Sequence, residues 1–145
     1  MFQTATTNWS GFRAQAETGF VTGAPRTILR AEGLAALAVS LALFAHVGGS
    51  WGMFAALFLA PDLAMLGYLA GPRLGAAAYN AAHSYVGPAL LAGAAMLAGA
   101  HLALALALVW TAHIGFDRAL GYGLKHPTAF GDTHLGRAGR ARRPA

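Results

Sequence analysis

Asp62, His83, His113 and Asp117 are ionisable side chains that lie within largely apolar stretches of this sequence. A buried charge is costly unless a partner neutralises it, so residues of this kind are usually paired and often functional. Carboxylates and imidazoles are suitable ligands for zinc, iron or manganese, and they also suit proton transfer. The sequence lacks an H-E-x-x-H motif, so a metal site is predicted here from residue type and position.

Three of these residues are predicted to lie at one depth. Asp62, His83 and His113 are each about seven or eight residues from the same side of a set of apolar stretches, which corresponds to about 10–12 Å along a helix. We therefore predict that Asp62 contacts His83 or His113, directly or through one bridging atom. A hydrogen-bond cluster that only fixes helix packing would bring the same residues together.

Further polar residues are expected to support this layer. Residues four apart share a helix face, so Tyr79 should lie beside His83, and Asn80 follows directly in the sequence. Asp117, Tyr79 and Glu32 are predicted to form a second layer nearer the cytoplasm.

A set of polar residues at the same ends of the apolar stretches suits the binding of an anionic group. The positive side chains would hold the anion at the mouth of the site, and an Asp two residues before a His can place both groups near one ligand. The alternative is an interfacial loop, residues 121–137, with solvated polar side chains. The candidate anion-binding residues are Arg73, Arg118, Lys125, Asp132 and His134.

The elements that must position these residues are four apolar stretches. Each has close to the 20 residues needed to cross about 30 Å of hydrocarbon, and their short connections make neighbours antiparallel. The fold class is therefore predicted to be all-α, a membrane-embedded antiparallel four-helix bundle. Pro61 and Pro88 each remove a backbone hydrogen bond and are expected to kink their helices. The predicted spans are residues 28–47, 51–70, 75–97 and 100–120.

The predicted domain organisation follows from these spans. Residues 26–124 form the transmembrane domain, after a disordered cytoplasmic tail at residues 1–25. An interfacial cytoplasmic segment at 121–135 and a basic tail at 136–145 complete the chain.

Composition and charge distribution indicate the solvent and the orientation. Hydrophobic residues make up 57% of the chain and charged residues 10%, against about 25% charged in soluble domains. Every Lys and Arg lies in the N-terminal region, the middle connection or the C-terminal region, which share one side of a four-span protein. The positive-inside rule then places both termini in the cytoplasm of a multi-pass protein in the bacterial inner membrane.

The same distribution restricts cofactors and partners. The chain has no cysteine, which excludes disulfides, iron–sulfur clusters, thiolate zinc sites and covalently attached c-type haem. The net charge of +5 comes from residues that flank apolar spans, so anionic lipid headgroups on the cytoplasmic side, and not nucleic acid, are the predicted partners. Protein partners or a homo-oligomer remain open alternatives.

Three strings of the sequence carry a resemblance to a known family. They are LAPDLAMLGYLAGPR at 59–73, GAAAYNAAHSY at 75–85 and HIGFDRALGYGLKHPTAFGDTHLGR at 113–137. Together they resemble a family of small bacterial membrane proteins catalogued as a domain of unknown function, which implies a four-helix membrane protein and supplies no catalytic residues. A weaker likeness to membrane-bound metal-dependent hydrolases, which carry a Pro-Asp pair and later histidines, maps onto Pro61-Asp62, His83 and His113.

These observations leave three functions open. The first is an enzyme in which Asp62, His83, His113 and Asp117 hold a metal that activates water against a lipid-like or phosphorylated substrate. The second is a non-catalytic membrane subunit or stabiliser in which the same residues only pack helices. The third is a haem-binding bundle with His83 and His113 as ligands.

Overall fold

The structure is a computed structural model that describes residues 20–128 and 130–137, and it is mostly helical. Among the described residues, four helical stretches are long and apolar enough to cross a membrane: Gly23–His46, Trp51–Ala70, Pro72–Ala98 and His101–Leu120. Residues 1–19 and 138–145, which make up most of the two predicted tails, lie outside the described residues. The individual elements are α1 (Gly23–His46), α2 (Trp51–Leu57), a 3₁₀ helix (Ala60–Ala70), α3 (Pro72–Ala82), α4 (Val86–Ala98), α5 (His101–Leu120), β1 (Asp132–Thr133) and β2 (Gly136–Arg137).

The second apolar stretch changes helix type at its middle. It is α-helical to Leu57 and then forms a 3₁₀ helix of 11 residues from Ala60 to Ala70, whereas 3₁₀ runs longer than about four residues are uncommon. Pro61 lies at its start and has no backbone N–H to donate to the preceding α-helical turn. The change of helix type therefore begins at the proline from which a kink was expected.

Three residues per turn give the 3₁₀ helix three straight stripes of side chains. Leu63, Leu66 and Leu69 form one stripe and are exposed. Gly67 lies on the second stripe, where an added Cβ would stand 3.0 Å from Ala78 Cβ of α3. The third stripe consists of Asp62, Met65 and Tyr68, of which Asp62 and Met65 line a cavity described below.

The third apolar stretch was expected to be one helix over 75–97, but it is divided into α3 and α4 by residues 83–85. Pro88 cannot donate to the Ser84 carbonyl, which weakens the helix at this point. The break frees two carbonyls, and side chains of α5 satisfy both of them. Trp110 Nε1 donates to Ala82 O at 2.6 Å, and Arg118 Nη2 donates to His83 O at 3.3 Å.

The most extensive helix contact joins α1 to α5. Glycines make the approach possible, because a Cβ on Gly115 would lie 2.7 Å from Gly33 O, and a Cβ on Gly33 would lie 2.4 Å from Arg118 Cβ. Small residues allow such backbone contact between apolar helices. At the end of the same pair, Arg30 Nε donates to Ala119 O at 2.8 Å.

The segment after α5 folds back onto the helices. Its strands β1 and β2 pair antiparallel, and Lys125 forms a further bridge to Thr133. Asn80 of α3 holds the segment, because its side chain accepts from Lys125 N at 2.6 Å and donates to Lys125 O at 2.9 Å. Strand β2 continues two residues past position 135, into the range predicted as basic tail.

Candidate metal centre

Breaks in the helices position two of the four ionisable residues. Asp62 lies in the first turn of the 3₁₀ helix, and His83 is the residue that ends α3. His113 and Asp117 lie one turn apart on the continuous helix α5. Three separate backbone segments therefore deliver one group of side chains.

The structure brings Asp62, His83, His113 and Asp117 into one cluster. One ligand atom from each residue lies within 4.8 Å of the other three. Asp62 Oδ1 is 3.3 Å from His83 Nε2 and 3.6 Å from His113 Nε2. Asp117 Oδ2 is 3.5 Å from His83 Nε2 and 3.9 Å from His113 Nε2. The predicted contact of Asp62 with a histidine is confirmed.

These separations suit a metal ion. Ligands about 2.0–2.1 Å from a tetrahedral zinc ion lie roughly 3.3 Å from one another. The two Nε2 atoms are 3.1 Å apart, and the four nitrogen–oxygen distances run from 3.3 to 3.9 Å. The cluster is therefore close to the size of a tetrahedral coordination shell.

The hydrogen bond of His83 to the backbone determines which of its ring nitrogens carries the proton. The other nitrogen faces the cluster and is an acceptor. Its Nδ1 lies 2.9 Å from the carbonyl oxygen of Tyr79, which accepts hydrogen bonds and cannot donate, so Nδ1 carries the proton. In the neutral ring Nε2 then presents a lone pair to Asp62 Oδ1 and Asp117 Oδ2. A histidine that binds a metal commonly donates its other N–H to a carbonyl in this way.

Aromatic neighbours hold the ligands in place. The Tyr79 ring stacks on His83 at a centroid distance of 3.7 Å, and Tyr79 OH donates to Asp117 Oδ2 at 3.1 Å. Phe58 packs edge-on against His113 at 5.4 Å. His113 Nδ1 is buried and has no hydrogen-bond partner among the described residues, so packing orients this ring.

A cavity of about 240 Å³ reaches the carboxylate side of the cluster. The two histidines are 2% and 1% exposed, whereas Asp62 and Asp117 line the cavity. A small molecule in the cavity would therefore approach the carboxylates first. The rest of the lining is Met65, Tyr79, Tyr122, Lys125, Phe130 and Thr133.

Lys125 is the cation that lines this cavity. Its Nζ donates to Phe130 O at 3.0 Å and lies 3.3 Å from the centroid of the Phe130 ring and 4.6 Å from that of Tyr79. Burial lowers the pKa of the Lys125 ammonium. An ammonium with one acceptor retains donors for an anion, since Lys has three N–H groups.

The other candidate anion-binding residues do not line the cavity that Lys125 lines. Arg73 is exposed at the start of α3, and Arg118 and His134 line a different cavity together with Glu32. Asp132 Oδ2 accepts from Thr128 Oγ1 at 3.0 Å within the loop. The shared anion site expected at one mouth is therefore divided, because the loop after α5 brings Lys125 to one cavity and His134, with Arg118, to the other.

The predicted second layer is also corrected. Asp117 belongs to the four-residue cluster, because the rise of about 6 Å over the four residues from His113 is short enough for an imidazole and a carboxylate to reach one point. Tyr79 contacts that cluster directly. Glu32 is exposed and lies on α1, away from the cluster.

Several cavity residues were not predicted. Met65 follows Asp62 at the three-residue spacing of a 3₁₀ helix, a signal that an α-helical interpretation of the span does not use. Phe130 and Thr133 reach the cavity through the fold of the loop after α5, for which the sequence pattern offers no comparable periodicity.

The fold and the cluster define a class of protein: a chain with four apolar helices that carries a buried Asp/His group able to bind a metal ion. The chain belongs to the family described as Domain of unknown function (DUF4260), whose family model matches residues 26–138. No curated protein and no solved structure matches the chain. The comparisons lend no support to the likeness to membrane-bound metal-dependent hydrolases.

Proposed function

We propose that this protein holds a divalent metal ion between Asp62, His83, His113 and Asp117. The protein would be a multi-pass, antiparallel four-helix bundle in the bacterial inner membrane, with both termini in the cytoplasm. The observation that carries the proposal is the convergence of four possible ligand atoms within 4.8 Å of one another. The two carboxylates carry like charges, and a cation between them offsets their repulsion.

The donor set restricts the identity of the ion. Two imidazoles and two carboxylates suit zinc, iron or manganese. A bound ion of this kind would supply Lewis-acid chemistry at the head of the 240 Å³ cavity. Lys125 would then neutralise an anionic part of a lipid-like or phosphorylated substrate, which makes hydrolysis of such a substrate the proposed activity.

The competing function is a structural cluster that only packs helices. One observation favours this structural cluster: the buried Nδ1 of His113 has no hydrogen-bond partner in the described part of the chain. If that atom carries no proton, His113 Nε2–H donates to His83 Nε2 at 3.1 Å and no metal is required. A haem ligated by both histidines is disfavoured, because their Nε2 atoms are too close for a macrocycle between the rings.

Metal analysis of the gently purified full chain tests the proposal. We expect about one zinc, iron or manganese ion per chain and a loss of the ion in His113→Ala. His101→Ala is the matched control, because His101 is an exposed histidine at the start of the same helix. Less than about a tenth of an ion per chain, after purification without chelators and addition of each metal, would favour the structural cluster.

Reporter fusions test the proposed orientation. Fusions at positions 10, 73 and 140 should report the cytoplasm, and fusions near Gly49 and Gly99 the periplasm, since all Lys and Arg lie on one side. A periplasmic signal at either terminus would reject the N-in/C-in arrangement without affecting the metal proposal.

A further inference from the structure

A second polar cavity lies on the other side of α5. It has a volume of about 290 Å³ and is lined by Arg118 and His134 on one side and by Glu32 of α1 on another, with Tyr85, Leu29 and Ala36 completing the wall. None of these residues belongs to the proposed metal site. The cavity therefore needs a separate explanation.

One wall of this cavity presents hydrogen-bond donors. Leu124 N donates to His134 Nδ1 at 2.8 Å, so the neutral ring carries its proton on Nε2. Burial, reinforced by the charge of Arg118, lowers the pKa of His134 and keeps the ring in that neutral form. Arg118 Nη1 lies 3.1 Å from His134 Nε2, which places a guanidinium and an imidazole N–H side by side. Such a pair suits a phosphate oxygen.

The lining also includes a carboxylate, that of Glu32. Glu32 is exposed to the cavity, and Glu32 and Arg118 form no ion pair with each other. A cavity lined by both a cation and a carboxylate that do not pair directly suits a ligand that also carries both charges. The ligand's anion would meet Arg118, and its cation would meet Glu32.

The position of the cavity indicates where such a ligand resides. Arg118 is in the last turn of α5, two residues before the end of that apolar span, and Leu29 and Ala36 add apolar surface along α1. Polar groups beside apolar surface at a span end match the headgroup and upper acyl region of a bilayer.

We propose that this cavity binds an aminophospholipid headgroup, with its phosphate on Arg118 and His134 and its primary ammonium on Glu32. The proposal is independent of the metal site. A soluble phosphoamine has the same pair of charges, so the test must separate the two sources.

Native mass spectrometry of the full chain in detergent tests this site. Phosphatidylethanolamine, phosphatidylcholine and phosphatidylglycerol with identical acyl chains are compared, and phosphoethanolamine serves as the soluble probe. We expect phosphatidylethanolamine to bind roughly tenfold more tightly than the other two lipids, the size of one charge-assisted hydrogen bond. If phosphoethanolamine displaces the lipid at the same concentration, the site recognises the phosphate and ammonium groups of a soluble ligand, and the assignment to a lipid is wrong.

Two variants separate the charges. Glu32→Gln should abolish the preference for phosphatidylethanolamine while leaving phosphatidylglycerol binding unchanged, and Arg118→Gln should weaken all three lipids. Arg73→Gln is the matched control, because Arg73 is exposed at a span end and outside the cavity. Equal binding of the three lipids to the unmodified protein, or a preference that survives in Glu32→Gln, would overturn the proposal. Metal content measured in the same samples keeps this result separate from the metal proposal.

Discussion

The two sides of α5 carry opposite chemistry. On one side, Asp117 joins a cluster in which four possible metal-ligand atoms converge. On the other side, Arg118 and His134 supply hydrogen-bond donors to a cavity that Glu32 also lines. The two residues are neighbours in the chain, and the turn of about 100° per residue in an α-helix directs them apart. One helix therefore separates a site suited to a cation from a site suited to an anion.

The two sides also differ in how they are closed. The acceptor cluster is built from three backbone segments and its histidines are buried. The donor cavity lies between α1, α5 and the loop after α5, and its Glu32 is exposed. Arg118 touches both sides, because its Nη2 also donates to His83 O. A change at Glu32, which lines only the donor cavity, should leave the metal ligands unaltered, and the following variants test that independence.

Asp62→Asn should have the largest effect. It replaces an anionic ligand by a neutral amide. We expect metal affinity to fall by more than about 100-fold, because the loss of a residue that only hydrogen-bonds to a ligand already costs about 10–100-fold. Isothermal titration of the metal-free chain measures the affinity, and size-exclusion chromatography checks folding. Glu32→Gln is the control, because it removes an acid from the donor side and should leave metal affinity unchanged. Equal effects of the two variants would contradict the division into two sites.

Tyr79→Phe should weaken the metal site less than the loss of a ligand. The change removes the hydrogen bond to Asp117 Oδ2, and outer-shell bonds of this kind contribute about 10–100-fold to metal affinity. Tyr68→Phe is the matched control, since Tyr68 OH is buried with no hydrogen-bond partner among the described residues. Competition with a metal indicator measures both variants. A control variant that loses as much affinity as Tyr79→Phe would mean that the hydroxyl bond is not the cause.

Gly33→Ala should destabilise the donor side of the helix pair. The new Cβ would stand 2.4 Å from Arg118 Cβ and 2.9 Å from Ala119 N, and overpacking of this kind lowers the free energy of unfolding by about 1–3 kcal/mol. Thermal unfolding in detergent measures the change. Gly93→Ala is the control, because an added Cβ there meets nothing within 4 Å. Unchanged stability of Gly33→Ala would show that α1 and α5 lie further apart than described.

The smallest expected effect is a loosening of the loop after α5 at acid pH. The pKa of His134 is lowered from 6.5 by burial and by Arg118, and His126 acts in the same direction. A His with a lowered folded pKa contributes full stability above pH 6.5 and loses it as the pH falls below that value. Protonation also removes the acceptor used by Leu124 N.

Hydrogen exchange at the Leu124 amide measures this loosening. We expect exchange to accelerate between pH 6.5 and 5 after correction for intrinsic rates, and His134→Gln should remove the pH dependence. The amide of Trp110, within α5, serves as the internal control. An equal acceleration at both positions would indicate global unfolding.

The sequence predicted the four metal-ligand candidates for a clear physical reason. Polar groups in apolar helices must find partners, so Asp62, His83, His113 and Asp117 could be selected before any geometry was known. The family resemblance over the three quoted strings agrees with the family to which the chain belongs. The metal role of the cluster stays a proposal.

The anion-binding candidates could not be sorted in the same way. Positive charge near a span end indicates that a residue faces the membrane boundary, but it does not determine the side of the helix on which its partner lies. The loop after α5 decided the outcome, because it brings Lys125 to the acceptor side and His134 to the donor side. A loop without periodicity offers no pattern from which that could be predicted.

What the sequence by itself determined is therefore that the four helical stretches are apolar enough to cross a membrane, and which residues must be paired. Both follow from the free energy of placing apolar or charged groups in lipid, which depends on residue type and depth. Only the tertiary structure decided the 3₁₀ form of residues 60–70, the break at 83–85 and the division of charges across α5. These features depend on side chains of other segments, which satisfy the freed carbonyls and fill the spaces between helices. Local periodicity of the sequence does not show which distant residues will make those contacts.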